Sequence, residues 1–160
     1  MIKILFLCHG NICRSPMAAA ILQQKVNAKK LGDQFQIDSK ALTRDEIPYG
    51  SDWGHGIDPR AQRVLQKHNV PFGSHRAQLM KKSDYEQYDY LIGMDEENFY
   101  DMNRIAGGDP QHKEYKLLQF AGSSKDIDDP WFSNDFELAF AEIEKGCTAL
   151  LKQLLNESDA

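Results

Sequence analysis

The sequence predicts an α/β fold: a four-stranded, twisted parallel sheet between two layers of helices, three layers in all. Three observations carry that expectation. Short apolar runs suited to buried strands alternate with stretches of helical periodicity, the pattern of βαβ units. At 160 residues, 41% of them hydrophobic, the chain has the length of a single domain, spanning 1–160, and enough apolar material for a layered core. Cys8, Ser39, Asp95 and the 121–132 loop all fall at the carboxyl ends of expected strands, where open α/β sheets bind ligands.

Each element has its own signal. Residues 2–7 are almost continuously apolar and read as a buried strand. Residues 16–31 read as a helix with Ala18, Ala19, Ile21, Leu22, Val26 and Leu31 buried, stopped by Gly32-Asp33. Phe35–Ser39 is a second strand, and 43–58 is a loop rich in Gly, Asp and Pro. Pro59 suits the first turn of a helix reaching about His68. Tyr88–Met94 is a third strand. Asp95 is placed to cap the following helix, which Gly107-Gly108 ends. Tyr115–Phe120 is a fourth strand. Ser133 is expected to cap a long last helix striped by Phe136, Phe140, Ile143, Cys147, Leu150, Leu151 and Leu154, with a polar tail from about 156.

Composition narrows the function. A formal net charge of −5 argues against a general nucleic-acid binder, and no run approaches the roughly 20 apolar residues of a membrane helix. The N-terminal apolar run contains Lys3 and leads straight into Cys8, so it reads as a strand and not as a signal peptide. Three cysteines, an odd number, point to a reducing compartment, with the cytoplasm as default. No Cys/His cluster has zinc spacing, so neither metal nor cofactor is expected. Composition leaves oligomeric state open.

The stretch Cys8-His9-Gly10-Asn11-Ile12-Cys13-Arg14-Ser15-Pro16 carries the chemistry. A strand turning directly into a helix N-terminus aims several backbone N–H groups at one spot, which suits an anion. Cys8 offers a nucleophile there; the thiolate is the attacking species, and helix N-termini and cations favour it. Arg14 offers a permanently charged planar fork for two phosphoryl oxygens. Charge in phosphoryl transfer spreads over three equatorial oxygens, so the combination points to a phosphate monoester. A proton donor is then needed for the leaving oxygen. Asp129, on a loop before Pro130 and beside Trp131 and Phe132, is the candidate, with Asp128 as its rival and Trp131 as a wall for an aromatic leaving group.

Over most of its length the chain resembles the low-molecular-weight protein tyrosine phosphatases. The shared features are Cys8, five residues, Arg14-Ser15 near the N-terminus, and Asp129-Pro130 followed by two aromatic residues. Ile37-Asp38-Ser39, Gly73-Ser74-His75-Arg76-Ala77 and Tyr90–Asn98 also match. The resemblance implies strand order 2-1-3-4, a phosphate loop from Cys8 to Arg14 after the first strand, and a phosphocysteine intermediate. It implies that Asn11, Ser15, Ser39 and His75 support the loop by hydrogen bonds, that Asp95 orients His75, and that Cys13 forms a reversible disulfide with Cys8. The plain alternative for Cys13 is an unreactive loop cysteine. His9 is expected on the rim, pointing outward. Substrates are then phosphotyrosine proteins or small aryl phosphates, with phosphate as product and inhibitor.

Two departures stand out. Trp131 and Phe132 replace the family's usual two tyrosines, so stacking surface is kept but tyrosine phosphorylation there is not. The 41–59 segment differs from the family's pocket loop. The equivalent of its tryptophan wall is Asp45 by counting from Ser39, or Trp53 by identity. Competing functions are weaker. A thiol-dependent arsenate reductase needs relay cysteines, and none lies between Cys13 and Cys147. A cysteine phosphoryl carrier, whose phosphocysteine must persist, has no use for Arg14 and Asp129. A phosphate-binding module without hydrolysis requires Asp129 far from the loop.

Overall fold

The computed structural model describes residues 1–159, with side chains to 156. Four parallel strands form one sheet: β1 (Ile2–Cys8), β2 (Phe35–Ala41), β3 (Tyr90–Gly93) and β4 (Glu114–Lys116), in the order β2-β1-β3-β4. This is the expected 2-1-3-4 sheet.

β1 is central and buried on both faces, which explains its unbroken apolar sequence. Ile4 and Phe6 face one layer, where α1 (Arg14–Ala28), α2 (Pro59–Lys67) and α6 (Phe136–Asp159) supply Met17, Ile21, Leu65, Phe140 and Leu150. Leu5 and Leu7 face the other, beside α3 (Asp84–Gln87) and α4 (Glu96–Ala106), with Tyr85, Leu91 and Met102. Fully burying each such large side chain stabilises the fold by about 1.5–3 kcal/mol. After β2 the chain crosses to the other side of β1, so the order reverses between β1 and β3. The crevice beyond their carboxyl ends is where such sheets bind ligands, and Cys8 and Asp95 stand at its two sides.

Several boundaries differ from expectation. α1 begins at Arg14, two residues before Pro16, and ends at Ala28 and not at 31. Lys30 adopts a left-handed φ of 61° and Leu31 N–H closes the end on Val26 O, a stop with no glycine to announce it. β2 extends to Ala41, and β3 is shorter than the 88–94 run. Tyr88 instead turns its hydroxyl to Asp38 Oδ2, 2.7 Å away. The fourth strand stops at Lys116: Leu117–Ala121 wind into a 3₁₀ turn that lowers Leu117 onto α6. Gly146 makes that contact possible, since a Cβ there would lie 2.5 Å from Leu117 Cγ. Ser133 does not cap the last helix. Pro130–Ser133 form a separate turn, α5, broken by Asn134 at φ 61°, and Asp135 Oδ1 accepts from Leu138 N–H at 2.9 Å to start α6. α6 runs on to Asp159, beyond the tail expected from 156; Ala160 lies outside the described residues. α3 had no sequence expectation.

Candidate active site

A pocket of about 320 Å³ opens at the sheet's switch point. Its floor is the Cys8–Arg14 loop; Asp45, Glu46, Asp95, Glu97, Asn98, Asp129, Trp131 and Phe132 complete the walls. No side chain caps the start of α1, and its first turn holds no acidic residue, so the N-terminal amides stay open to an anion.

Asn11 is the hub of the loop. It is fully buried in the left-handed region at φ 62°, a conformation that asparagine tolerates better than most residues. Its Nδ2 donates to Ser15 Oγ at 2.8 Å and to Ser39 Oγ at 3.0 Å, and its Oδ1 accepts from Gln78 N–H at 3.2 Å. His75 Nε2 donates to Asn11 O at 2.7 Å, which requires the ring proton on Nε2. Burial holds the His75 pKa below its ordinary value, against the opposing hydrogen bond to Asn11. Ser15 Oγ already accepts from Asn11, so its own proton is left for Cys8 Sγ, 2.9 Å away; Ser15 N–H also donates to that sulfur at 3.4 Å.

Arg14 is 3% exposed. Its Nη1 donates to Ile127 O at 2.9 Å, while Nη2 lies 2.8 Å from Asp95 Oδ2 and 3.4 Å from Asp129 Oδ2. Burial disfavours the charge, but the Cys8 sulfur, Asp95 and Asp129 outweigh it and raise the Arg14 pKa. Asp95 serves two elements: Oδ1 caps α4 by accepting from Asn98 N–H at 2.7 Å, and Oδ2 holds Arg14. It therefore acts on the arginine and not on His75, whose bonded partner is the Asn11 carbonyl. Asp129 likewise splits its oxygens, Oδ1 accepting from Trp131 N–H at 3.1 Å and Oδ2 facing Arg14.

The rivals separate cleanly. Asp128 does not line the pocket; its Oδ2 bonds Ser133 Oγ, and its N–H donates to Glu142 Oε1 at 2.9 Å. Trp53 does not line it either. It stands on a different groove, with Phe72 and His75, and Asp45 occupies the pocket side as counting from Ser39 indicated. Beside Trp53, Gly54 packs closely under Glu46 O, where a Cβ would lie 2.2 Å away. His9 does not point freely outward. Its Nε2 bonds Asp45 Oδ2, and its Nδ1 lies 3.7 Å from Glu97 Oε1, so it bridges the phosphate loop, the 43–58 loop and α4.

None of the three cysteines is in a disulfide. Burial, reinforced by Cys8, Asp58 and Asp129, pushes the Cys13 pKa far above the ordinary thiol range, so Cys13 is protonated at neutral pH. Cys147 is a core residue with its pKa pushed up by burial to about 12. Asp45, Glu46, Glu97, Asn98 and the Ile127 carbonyl had no firm sequence signal, because two separate loops and a helix start deliver them. Among the described residues, no group of His, Cys, Asp or Glu is placed to hold a metal, and no helix is long and apolar enough to cross a membrane.

Known proteins are similar to this chain over nearly its whole length. The family described as low molecular weight phosphotyrosine protein phosphatase matches residues 3–160. The low molecular weight protein-tyrosine-phosphatase PtpA of Staphylococcus epidermidis is 31% identical over 162 residues, covering 99% of this chain and 97% of that protein. The human low molecular weight phosphotyrosine protein phosphatase is 34% identical over 156 residues, covering 94% of each. The crystal structure of YfkJ from Bacillus subtilis superposes with a TM-score of 0.89 at 31% identity, covering 98% of this chain and 96% of that one. A family match over residues 3–160, with relatives above 30% identity along nearly the full chain, makes this chain a member of the low molecular weight phosphotyrosine protein phosphatase family.

Proposed function

We propose that Cys8 is the nucleophile of this tyrosine phosphatase, Arg14 its phosphate fork and Asp129 its proton donor. The observation that supports the reading most directly is their convergence: all three line one pocket, with Asp129 Oδ2 3.4 Å from Arg14 Nη2.

The chemistry runs in two displacements. The Cys8 thiolate attacks phosphorus; as the S–P bond forms and the P–O bond to the aryl group breaks, the leaving oxygen takes the proton of Asp129. The loop amides and Arg14 hold the three equatorial oxygens, where preorganised donors act most strongly. In the second step Asp129, now a carboxylate, accepts a proton from water as that water attacks phosphorus; the S–P bond breaks, phosphate leaves and the thiolate is restored. The Ser15 hydroxyl follows the sulfur through both steps. Trp131 and Phe132, 55% and 84% exposed, give an aromatic substrate faces to stack on. Phosphotyrosine in a protein, or a small aryl phosphate, is the substrate class, and inorganic phosphate is product and competitive inhibitor. Three reduced cysteines favour a reducing compartment such as the cytoplasm.

Cys8→Ser tests the assignment. Turnover of p-nitrophenyl phosphate is lost while binding of inorganic phosphate persists; undiminished turnover overturns the assignment. Arsenate reduction coupled to thioredoxin, or a phosphocysteine that accumulates without phosphate release, is the outcome that favours a competing reading.

A further inference from the structure

Asp129 ends a stretch, 123–129, that has no helix or strand to hold it. Part of what anchors this stretch lies outside the pocket lining. Lys116, the last residue of β4, has a side chain only 7% exposed. An ammonium carries three donors, and each has an acceptor: Asp126 Oδ1 at 2.8 Å, Ser124 O at 2.8 Å and Glu96 Oε2 at 3.1 Å. Glu96 N–H donates to the same Asp126 Oδ1 at 3.0 Å. Burial disfavours the charge on Lys116, but its bonds to Asp126 and Glu96 prevail and raise its pKa.

The positions of these partners matter. Glu96 follows Asp95, which holds Arg14; Asp126 stands three residues before Asp129, which meets the same Arg14 nitrogen. Between them, Ile127 N–H donates to Met94 O and Ile127 O accepts from Arg14, both at 2.9 Å. A single ammonium therefore ties together the two segments whose carboxylates meet the arginine. We propose that Lys116 is a positioning residue for proton transfer: its clasp on Ser124, Asp126 and Glu96 sets the 123–129 segment so that the Asp129 carboxyl meets the leaving oxygen. Lys116 transfers no proton itself. The proposal rests on the assignment of Asp129 as proton donor.

A misplaced proton donor has a signature that general loosening lacks. Phenoxide is a far more basic leaving group than p-nitrophenoxide and depends far more on protonation as it departs. The test is kcat/KM on phenyl phosphate and on p-nitrophenyl phosphate for the wild type, Lys116→Met, Asp126→Asn and Asp129→Asn. Lys116→Met keeps the buried stem and removes the ammonium. It loses about tenfold on phenyl phosphate and about twofold on p-nitrophenyl phosphate, a part of the 10²–10⁴-fold that acid catalysis typically contributes. Asp126→Asn keeps an Oδ1 acceptor but removes the charge from the clasp's half-exposed side, and shifts the ratio in the same direction by less. Asp129→Asn shows the largest ratio. Equal losses on both substrates in the two clasp variants, with discrimination retained in Asp129→Asn, overturn the Lys116 proposal alone. A lack of discrimination in Asp129→Asn overturns the proton-donor assignment, and the Lys116 proposal falls with it.

Discussion

Asn11→Ala tests the physical basis of the site, because that side chain makes three of the hydrogen bonds that hold the loop. Alanine removes three side-chain hydrogen bonds, to Ser15 Oγ, Ser39 Oγ and Gln78 N–H. It also places an ordinary Cβ residue at φ 62°. Three bonds at about 0.5–1.5 kcal/mol each, with about 1–2 kcal/mol for the left-handed backbone, give a loss of about 2.5–6.5 kcal/mol. Against a typical total of about 5–15 kcal/mol this is a large share. Urea unfolding measures it. Two companions divide the loss: Ser39→Ala removes one of the bonds and costs about 1 kcal/mol, while Asn11→Gly is about 1 kcal/mol less damaging than Asn11→Ala because the backbone is no longer strained. Activity falls as well, by about 10²-fold in kcat, since the loop amides lose their convergence and the Ser15 proton is no longer directed at the sulfur. A loss below about 1 kcal/mol with unchanged kcat refutes the view that this side chain shapes the loop.

Other perturbations reach the site by different routes. Arg14→Lys keeps a charge but loses the fork and the bond to Ile127 O; kcat on an aryl phosphate falls by about 10²–10⁴-fold, and a variant within threefold of wild type would show that charge alone suffices. His75 makes stability pH-dependent. Its folded pKa lies below the unfolded value, so on acidification the unfolded chain takes up a proton that the native protein refuses. Its contribution is full above the ordinary histidine pKa and is lost as pH falls below about 6.5; His75→Gln, unfolded in urea between about pH 8 and 5, flattens that part of the wild-type slope. Gly54→Ala puts a Cβ 2.2 Å from Glu46 O and 2.9 Å from Ile47 Cγ1, so the segment carrying Asp45 and Glu46 must move. Thermal unfolding then shows a loss of about 1–3 kcal/mol, and KM rises.

Local signals in the chain marked out much of this molecule. The apolar run of β1, with no polar alternation, requires burial on both faces and hence a parallel sheet between helices. Cys8, Arg14 and Ser15 lie within one strand-to-helix turn, so their spacing places them together without reference to the rest of the chain. Asp95 is a helix cap, and Asp129 is kept extended by the proline after it; both were legible from neighbouring residues. Boundaries that depend on distant contacts were not. Leu117–Ala121 has the composition of a strand, yet it turns inward because Gly146 on α6 leaves room for Leu117.

What the sequence by itself determined is the set of candidate reacting groups and most of the elements that carry them, since strand burial, helix starts and caps are short-range properties of neighbouring residues. Only the tertiary structure decided which carboxylate holds the arginine, which side of the 43–58 loop faces the pocket, and what secures the segment bearing Asp129. Those answers depend on side chains separated by tens of residues in the chain, and only packing across the sheet brings them within hydrogen-bond reach.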